Sequence, residues 1–154
     1  MSQREQNLDV EVAVHDAVTA IVRIRGELDV DTATLLHHHL ANQFLHGRRH
    51  LVLELSTLDF MDSSGLNVLI RTTREARGAG GDVHLAAPTT LVRKLLDITG
   101  LSLTTPVHAD TDAALNAVRA YESGRSTPAG KTGRQSPGRL SRRPSEAASA
   151  DVRA

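Results

Sequence analysis

The order of apolar and turn residues predicts an α/β fold whose sheet is mixed and mostly parallel. Three observations predict it: two near-alternating runs follow one another near the start, short apolar runs recur further along, and segments with apolar residues at helical spacing follow these runs. Alternation favours strands, and a spacing of three to four residues favours helices. The predicted order is β-β-α-β-α-β-α-β-α, which implies right-handed crossovers between parallel strands.

The first two strands form a predicted hairpin. LDVEVAV (8–14) and VTAIVRI (18–24) carry apolar residues at near-alternating positions, with Asp16 and Ala17 between them. Such alternation is typical of strands that bury one face. Gly26 is predicted to end the second strand.

The first predicted helix lies in the segment DTATLLHHHLANQF (31–44). Asp31 is its predicted N-cap and Gly47 its predicted stop, because a short acidic side chain accepts bonds from the first N–H groups and glycine readily ends a helix. The apolar run HLVLEL (50–55) then predicts a central strand covered on both faces. The apolar positions at helical spacing are Ala33, Leu36, Leu40 and Phe44.

The second half of the domain alternates helices and short strands. In chain order the predicted elements are the amphipathic helix SGLNVLIRTTREAR (64–77), the strand VHLAA (83–87), the helix TTLVRKLLDITG (89–100), the weak strand LSLTT (101–105) and the helix DAALNAVRAY (112–121). A threonine is predicted to cap the second of these helices and Asp110 the third. Gly78 and Gly100 are predicted to end the first two.

Composition divides the chain into a folded domain, residues 1–122, and a tail, residues 123–154. The tail is rich in Ser, Gly, Pro and Arg and is predicted to be disordered, because it cannot bury enough apolar surface to offset the entropy of ordering. The domain carries 11 Lys and Arg against 16 Asp and Glu, whereas the tail carries 7 against 2. An acidic body is therefore joined to a basic end.

The sequence predicts a cytoplasmic protein that does not span a membrane. The absence of cysteine excludes disulfides and thiolate metal or redox sites, and suits a reducing compartment. The polar start, MSQREQN, lacks the apolar segment of a secretory signal. No apolar run approaches the roughly 20 residues that a membrane-spanning helix needs.

Three motifs suggest ligand-binding functions that their context does not support. Successive side chains on a helix point about 100° apart, so His37, His38 and His39 cannot converge on one metal ion. GRSTPAGKT (124–132) resembles a phosphate-binding loop, but it has five residues between its glycines and follows a helix. Ser145, in RRPSE, could be a kinase target or part of a nucleic-acid contact, yet no aromatic residues support the latter. We expect no cofactor, no metal and no specific nucleic-acid binding.

The stretch FMDSSGL (60–66) follows an apolar run and precedes an amphipathic helix, a place where α/β proteins collect binding sites. A nucleophilic serine needs a base, and nothing in the sequence places His50 or His84 near Ser63. The G-x-S-x-G motif of hydrolases is absent, because Asp62 precedes the serines. A helix cap explains Ser64 but not its two polar neighbours. The third interpretation is a loop on which a partner acts, since free N–H groups at a helix start can stabilise an added anion.

GELDVDTA (26–33) followed by LDFMDSSGLNVL (58–69) resembles the STAS-domain anti-sigma factor antagonists. Both blocks, their spacing and the order of elements match that family across residues 8–122. The resemblance implies a partner-switching regulator of transcription, often in a stress response, rather than an enzyme. In this family an anti-sigma factor, itself a serine kinase, phosphorylates the first serine of the D-S-S-G block. The unphosphorylated antagonist binds that kinase and frees a sigma factor, and a serine phosphatase resets the system.

Carried over to this chain, the resemblance implies that Ser63 is the phosphorylated residue. Asn67 stands where the family usually has a second glycine, and a side chain there could weaken or redirect recognition by the kinase. The alternative is a STAS module that binds a partner or small ligand without being phosphorylated. The residues implied to shape the site or contact the partner are Asp29, Asp62, Ser64, Gly65 and Asn67.

Overall fold

The computed structural model describes residues 7–125. Within these residues, five strands and four helices follow one another in the predicted order β-β-α-β-α-β-α-β-α. The strands are β1 (Leu8–Asp16), β2 (Thr19–Leu28), β3 (His50–Met61), β4 (Asp82–Ala86) and β5 (Val107–His108). The helices are α1 (Ala33–Leu45), α2 (Ser63–Gly78), α3 (Thr90–Thr99) and α4 (Thr111–Arg125).

The strands form one sheet in the order β1-β2-β3-β4-β5. Among the strands of residues 7–125, only β1 and β2 are antiparallel, and each later strand runs parallel to its neighbour. This arrangement confirms the predicted mixed, mostly parallel sheet. It also places the carboxyl ends of β2, β3, β4 and β5 along one edge, from which the loops lead into the helices.

Aliphatic side chains build the core, as the near-absence of aromatic residues requires. The helix α2 packs against β3, β4 and α1, and α3 packs against β3. The fully buried Leu51, Leu53 and Leu55 alternate along β3, and Leu36 and Leu40 of α1 are equally inaccessible. Because α2 is anchored in this core, its first turn occupies a defined position beside the sheet edge.

Two strands run further than their apolar patterns predict. Gly26 does not end β2, which continues to Leu28, and β3 continues from the predicted Leu55 to Met61. Gly26 instead occupies a bulge with φ of 108°, where a side chain would overlap the carbonyl oxygen of Asn7. The irregular register breaks the alternation from which strand length is inferred.

The prediction that LSLTT (101–105) forms a strand is wrong. After Gly100, which has a left-handed φ of 82°, residues Leu101–Leu103 form a 3-10 turn. The amides of Thr104 and Thr105 donate to the carbonyl of Leu101 at 3.1 and 2.9 Å, so they cannot join the sheet. The fifth strand is the next segment, Val107–His108.

Outside the candidate site, two of the three N-cap residues predicted from the sequence are the N-caps in the structure. The Thr89 hydroxyl accepts from the Val92 amide, and Asp110 accepts from the Ala113 amide. Asp31 is not the N-cap of α1, because Thr32 occupies that position.

The structure bears only in part on the predicted tail. The helix α4 continues through Arg125, three residues beyond the predicted domain boundary at 122. The rest of the tail, including Ser145 and most of the glycine-containing segment 124–132, lies outside the described residues. Within residues 7–125, no helix is both long and apolar enough to cross a membrane. The same residues include no group of three or more His, Asp or Glu side chains that could hold a metal ion.

Candidate functional site

The carboxyl ends of β2 and β3 bring the two sequence blocks together. Leu28 pairs with Met61, and the Asp62 amide donates to the Leu28 carbonyl at 3.2 Å. Asp29 and Asp62 each follow directly after these paired residues. Two segments more than 30 residues apart in sequence therefore meet at one point of the sheet edge, as the resemblance requires.

Asp62 is the N-cap of α2. Its backbone is extended, and its Oδ1 accepts from the amides of Ser64 and Gly65 at 2.8 and 3.4 Å. The assignment of the cap to Ser64 is wrong, because Ser64 is already the second residue of the helix. A capping carboxylate satisfies two of the N–H groups that a helix start leaves unpaired and interacts favourably with the helix dipole.

Ser63 is the first residue of α2 and is exposed. Within the described part of the chain, no hydrogen bond engages its hydroxyl. Ser64 is only half-exposed. Of the two adjacent serines, Ser63 therefore presents the more accessible hydroxyl to an approaching molecule.

Gly65 permits the close approach of α2 to the strand ends. It is buried, and a Cβ atom at this position would lie 2.7 Å from Met61 Cγ and 2.8 Å from Leu28 Cγ and Cδ2. Leu28 is fully inaccessible and cannot move aside freely. Gly65 thus sets how deeply the first turn of α2, with Ser63, sits against the sheet.

Gly65→Ala is expected to lower the free energy of unfolding by about 1–3 kcal/mol, because overpacking forces side chains away from their preferred rotamers. Urea denaturation of the purified protein measures this change. Gly78→Ala is the matched control in the same helix, since an added Cβ there meets nothing within 4 Å. Equal stability of the two variants would show that the contact around Gly65 relaxes without cost.

Asp29 organises the loop between β2 and α1. Its Oδ1 accepts from the Asp31 amide at 2.9 Å and the Thr32 amide at 3.2 Å. The Thr32 hydroxyl donates to the Glu27 carbonyl at 2.8 Å and accepts from the Asp29 amide at 3.0 Å. These bonds hold the loop in one conformation beside the start of α2.

Asn67 is exposed on α2, four residues after Ser63. Residues at this spacing lie on the same face of a helix. Any protein that covers the Ser63 hydroxyl along this face would therefore also meet the Asn67 amide.

Exposed apolar side chains at the same edge were not identified from the sequence. Val30, in the loop after β2, is 72% exposed, and Phe60, one residue before the end of β3, is 43% exposed. Leu91 in the first turn of α3 is also exposed. An apolar residue between two aspartates, as in DVD (29–31), is the signal that could have indicated Val30. Acidic residues flank Val30 and Phe60 in the sequence: Glu27, Asp29, Asp31, Asp59 and Asp62.

The histidines considered as catalytic bases lie far from Ser63. His50 is the first residue of β3, whereas Ser63 lies two residues beyond the last residue of this 12-residue strand, which is roughly 35 Å long. His84 lies beside Val52, near the same distant end. Neither histidine is close enough to take a proton from the Ser63 hydroxyl. The hydrolase interpretation required one of them as a general base and is therefore not supported.

Comparisons with known proteins agree with this arrangement. Residues 9–114 match the family described as STAS domain. The anti-sigma F factor antagonist of Paenibacillus polymyxa is 34% identical over 118 residues, which cover 75% of this chain and 97% of that protein. The structure of an anti-sigma factor antagonist from Mycobacterium paratuberculosis is 30% identical, with a TM-score of 0.67 over 73% of this chain and 94% of that chain. Unphosphorylated SpoIIAA, 24% identical with a TM-score of 0.65 over 73% of this chain and 97% of its own, supports the fold alone.

Proposed function

We propose, since this chain belongs to the STAS domain family of anti-sigma factor antagonists, that it binds an anti-sigma factor serine kinase and thereby frees a sigma factor. The resemblance predicted from the two sequence blocks is confirmed at the level of the family. The binding of a serine kinase, the phosphorylation of this chain and the residues that take part in both are what we propose. The observation that carries it is the exposed Ser63 hydroxyl at the start of α2.

The proposed phosphorylated residue is Ser63. A kinase must reach a hydroxyl that is free to attack the γ-phosphate of ATP, and Ser63 is exposed with no bond to its side chain within residues 7–125. Asp62 holds the first turn of α2 in place by capping it, and Gly65 does so by close packing against the strand ends. The kinase would therefore meet a rigid substrate segment, which lowers the entropic cost of binding.

The proposed docking surface surrounds this serine. Val30 and Phe60 supply exposed apolar area, and such area within a polar rim is typical of interaction sites. The acidic side chains around them favour a partner with basic residues at its rim. The proposed contact or shaping residues are Asp29, Asp62, Ser64, Gly65 and Asn67.

In this proposal the chain is a substrate and a ligand rather than an enzyme. A serine phosphatase would return phosphorylated Ser63 to the binding-competent form. The second candidate is a STAS module that binds its partner without being phosphorylated, and it is favoured by Asn67. An exposed amide side chain one turn after Ser63 changes the surface that a kinase would have to fit.

Two measurements with purified anti-sigma factor kinases from the source organism test the proposal. The full chain should bind one of these kinases and restore transcription by the sigma factor that the kinase inhibits. Incubation with the same kinase and ATP should add one phosphate. Binding and sigma release without phosphate transfer would support the second candidate, and absence of binding to every such kinase would contradict both.

A further inference from the structure

A pair of histidines joins β4 to the short strand β5. His84 Nδ1 and His108 Nε2 lie 3.0 Å apart, a hydrogen-bond distance at which one nitrogen donates and the other accepts. His84 is only 5% exposed, and its other nitrogen, Nε2, is buried without a hydrogen-bond partner within the described residues. A proton added at His84 Nε2 would place a charge and an unpaired donor in this buried site, and protonation of both rings would also leave two donors facing each other across the pair.

The surroundings of the pair disfavour a charged imidazole on balance. Burial, with added contributions from the nearby His108 and His50, lowers the pKa of His84 to about 4, although Asp82 opposes this shift. Burial also lowers the pKa of His108, against the opposing effect of Asp110. Of the carboxylates named, Asp82 is already engaged by the Arg77 guanidinium at 3.1 Å. Val52 of β3 pairs with His84, and Glu54 lies two residues further along the same strand, beside Ala86. The Glu54 carboxylate lies 3.6 Å from the Arg23 guanidinium.

The strand joined by this pair is held by few other bonds. β5 is two residues long, and the amides of Leu85 and Ala87 donate to the carbonyls of Pro106 and His108, each at 2.9 Å. Ala87 has a φ of 53°, a left-handed backbone conformation that is strained for a non-glycine residue. The segment that follows carries Thr89, whose hydroxyl caps α3 and donates to the Leu58 carbonyl at 3.3 Å. The segment that follows the His84 strand is thus hydrogen-bonded to β3 at Leu58, three residues before the end of that strand.

We propose that the His84–His108 pair is an acid-sensitive latch, whose protonation detaches β5 from β4 and loosens the segment between β4 and α3. When β5 detaches, His84 becomes exposed to water and its pKa returns to the ordinary value. The open form therefore binds a proton more readily than the closed form, and acid favours opening. A pKa that rises from about 4 to 6.5 on opening increases the open population about thirtyfold between pH 7.5 and pH 5.0. This device does not depend on the identity of the partner or on phosphorylation.

Amide hydrogen exchange on the full chain tests the latch, because local opening exposes the amides that join the two strands. Protection factors, corrected for the intrinsic exchange rate at each pH, should fall about thirtyfold at Leu85 and Ala87 between pH 7.5 and pH 5.0. The amides of Val22 and Leu53, in the paired centre of β2 and β3, should change by less than threefold. An equal fall at all four amides would indicate global unfolding and overturn the proposal.

Two variants separate the pair from other titrating groups. His84→Gln removes the ring whose pKa shift gives the thirtyfold factor and should reduce the fall in protection at Leu85 and Ala87 to the smaller part that His108 contributes. His38→Gln, a change at an exposed histidine of α1, should leave the thirtyfold fall intact. If His84→Gln does not fold, NMR titration of the wild-type His84 ring decides the question. A midpoint below pH 5 supports the latch, whereas a midpoint at pH 5 or above contradicts it.

Discussion

Ser63→Ala is expected to abolish phosphorylation of the chain by its anti-sigma factor kinase while preserving the binding of that kinase. The substitution removes the only atom that can accept the phosphoryl group at this position. It leaves the Asp62 cap and the packing of Gly65 unchanged, since both depend on backbone amides and on the absence of a Cβ atom. Phosphate incorporation and calorimetric binding to the kinase measure the two effects separately.

Two matched serine variants make this expectation specific. Ser64→Ala removes the adjacent, half-exposed hydroxyl and should still yield a phosphorylated protein. Ser56→Ala removes an exposed serine on β3, outside the start of α2, and should behave as wild type in both assays. Mass spectrometry that finds the phosphate on Ser64, or on a serine after residue 125, would overturn the assignment to Ser63.

Phosphorylation of Ser63 is expected to weaken binding to the kinase at least a hundredfold without refolding the domain. A phosphate adds about 1.5–2 negative charges, beside Asp62 and within an acidic surface. Asp62 Oδ1 already accepts from the amides of Ser64 and Gly65, so the phosphate would find these two donors occupied. Helix-start donors therefore stabilise the new anion less than the sequence alone suggests. The added charge remains exposed to the partner.

The size of the expected effect follows from electrostatics at the interface. A hundredfold loss of affinity corresponds to about 2.7 kcal/mol. One like-charge contact at about 4 Å, with an effective dielectric constant near 20, contributes about 4 kcal/mol of repulsion. Docking of the partner would desolvate the phosphate beside the Asp62 carboxylate of the same chain, so one like-charge contact of this size is sufficient and no change of fold is required.

Calorimetry with both forms of the chain, together with amide NMR spectra, measures this effect. Shift changes should be confined to the first turn of α2 and the loops beside it. Ser63→Asp should weaken binding less than phosphorylation does, because aspartate carries one charge on a shorter side chain. Equal affinities of the two forms, or shift changes throughout the sheet, would contradict the electrostatic account.

The sequence by itself determined the order of elements, the mixed sheet and the position of the candidate site. Periodicity was sufficient for the long elements, because the alternation of β1 and the helical spacing of α2 each extend over many residues. The strong N-cap preferences of Thr89 and Asp110 were equally readable. The two motif blocks, GELD and DSSG, indicated the family through their residues and spacing.

Only the tertiary structure decided the details of the strand ends and of the first turn of α2. The bulge at Gly26 breaks the alternation from which strand length is inferred. The apolar runs therefore underestimate the lengths of β2 and β3. The segment LSLTT has the alternating pattern of a strand. In the structure Leu101–Leu103 instead form a 3-10 turn directly after Gly100, whose backbone is left-handed. Asp62 rather than Ser64 caps α2, because the cap depends on which residue has extended backbone dihedrals where the strand ends. Such contacts between distant segments are not encoded in local periodicity, which describes one element at a time.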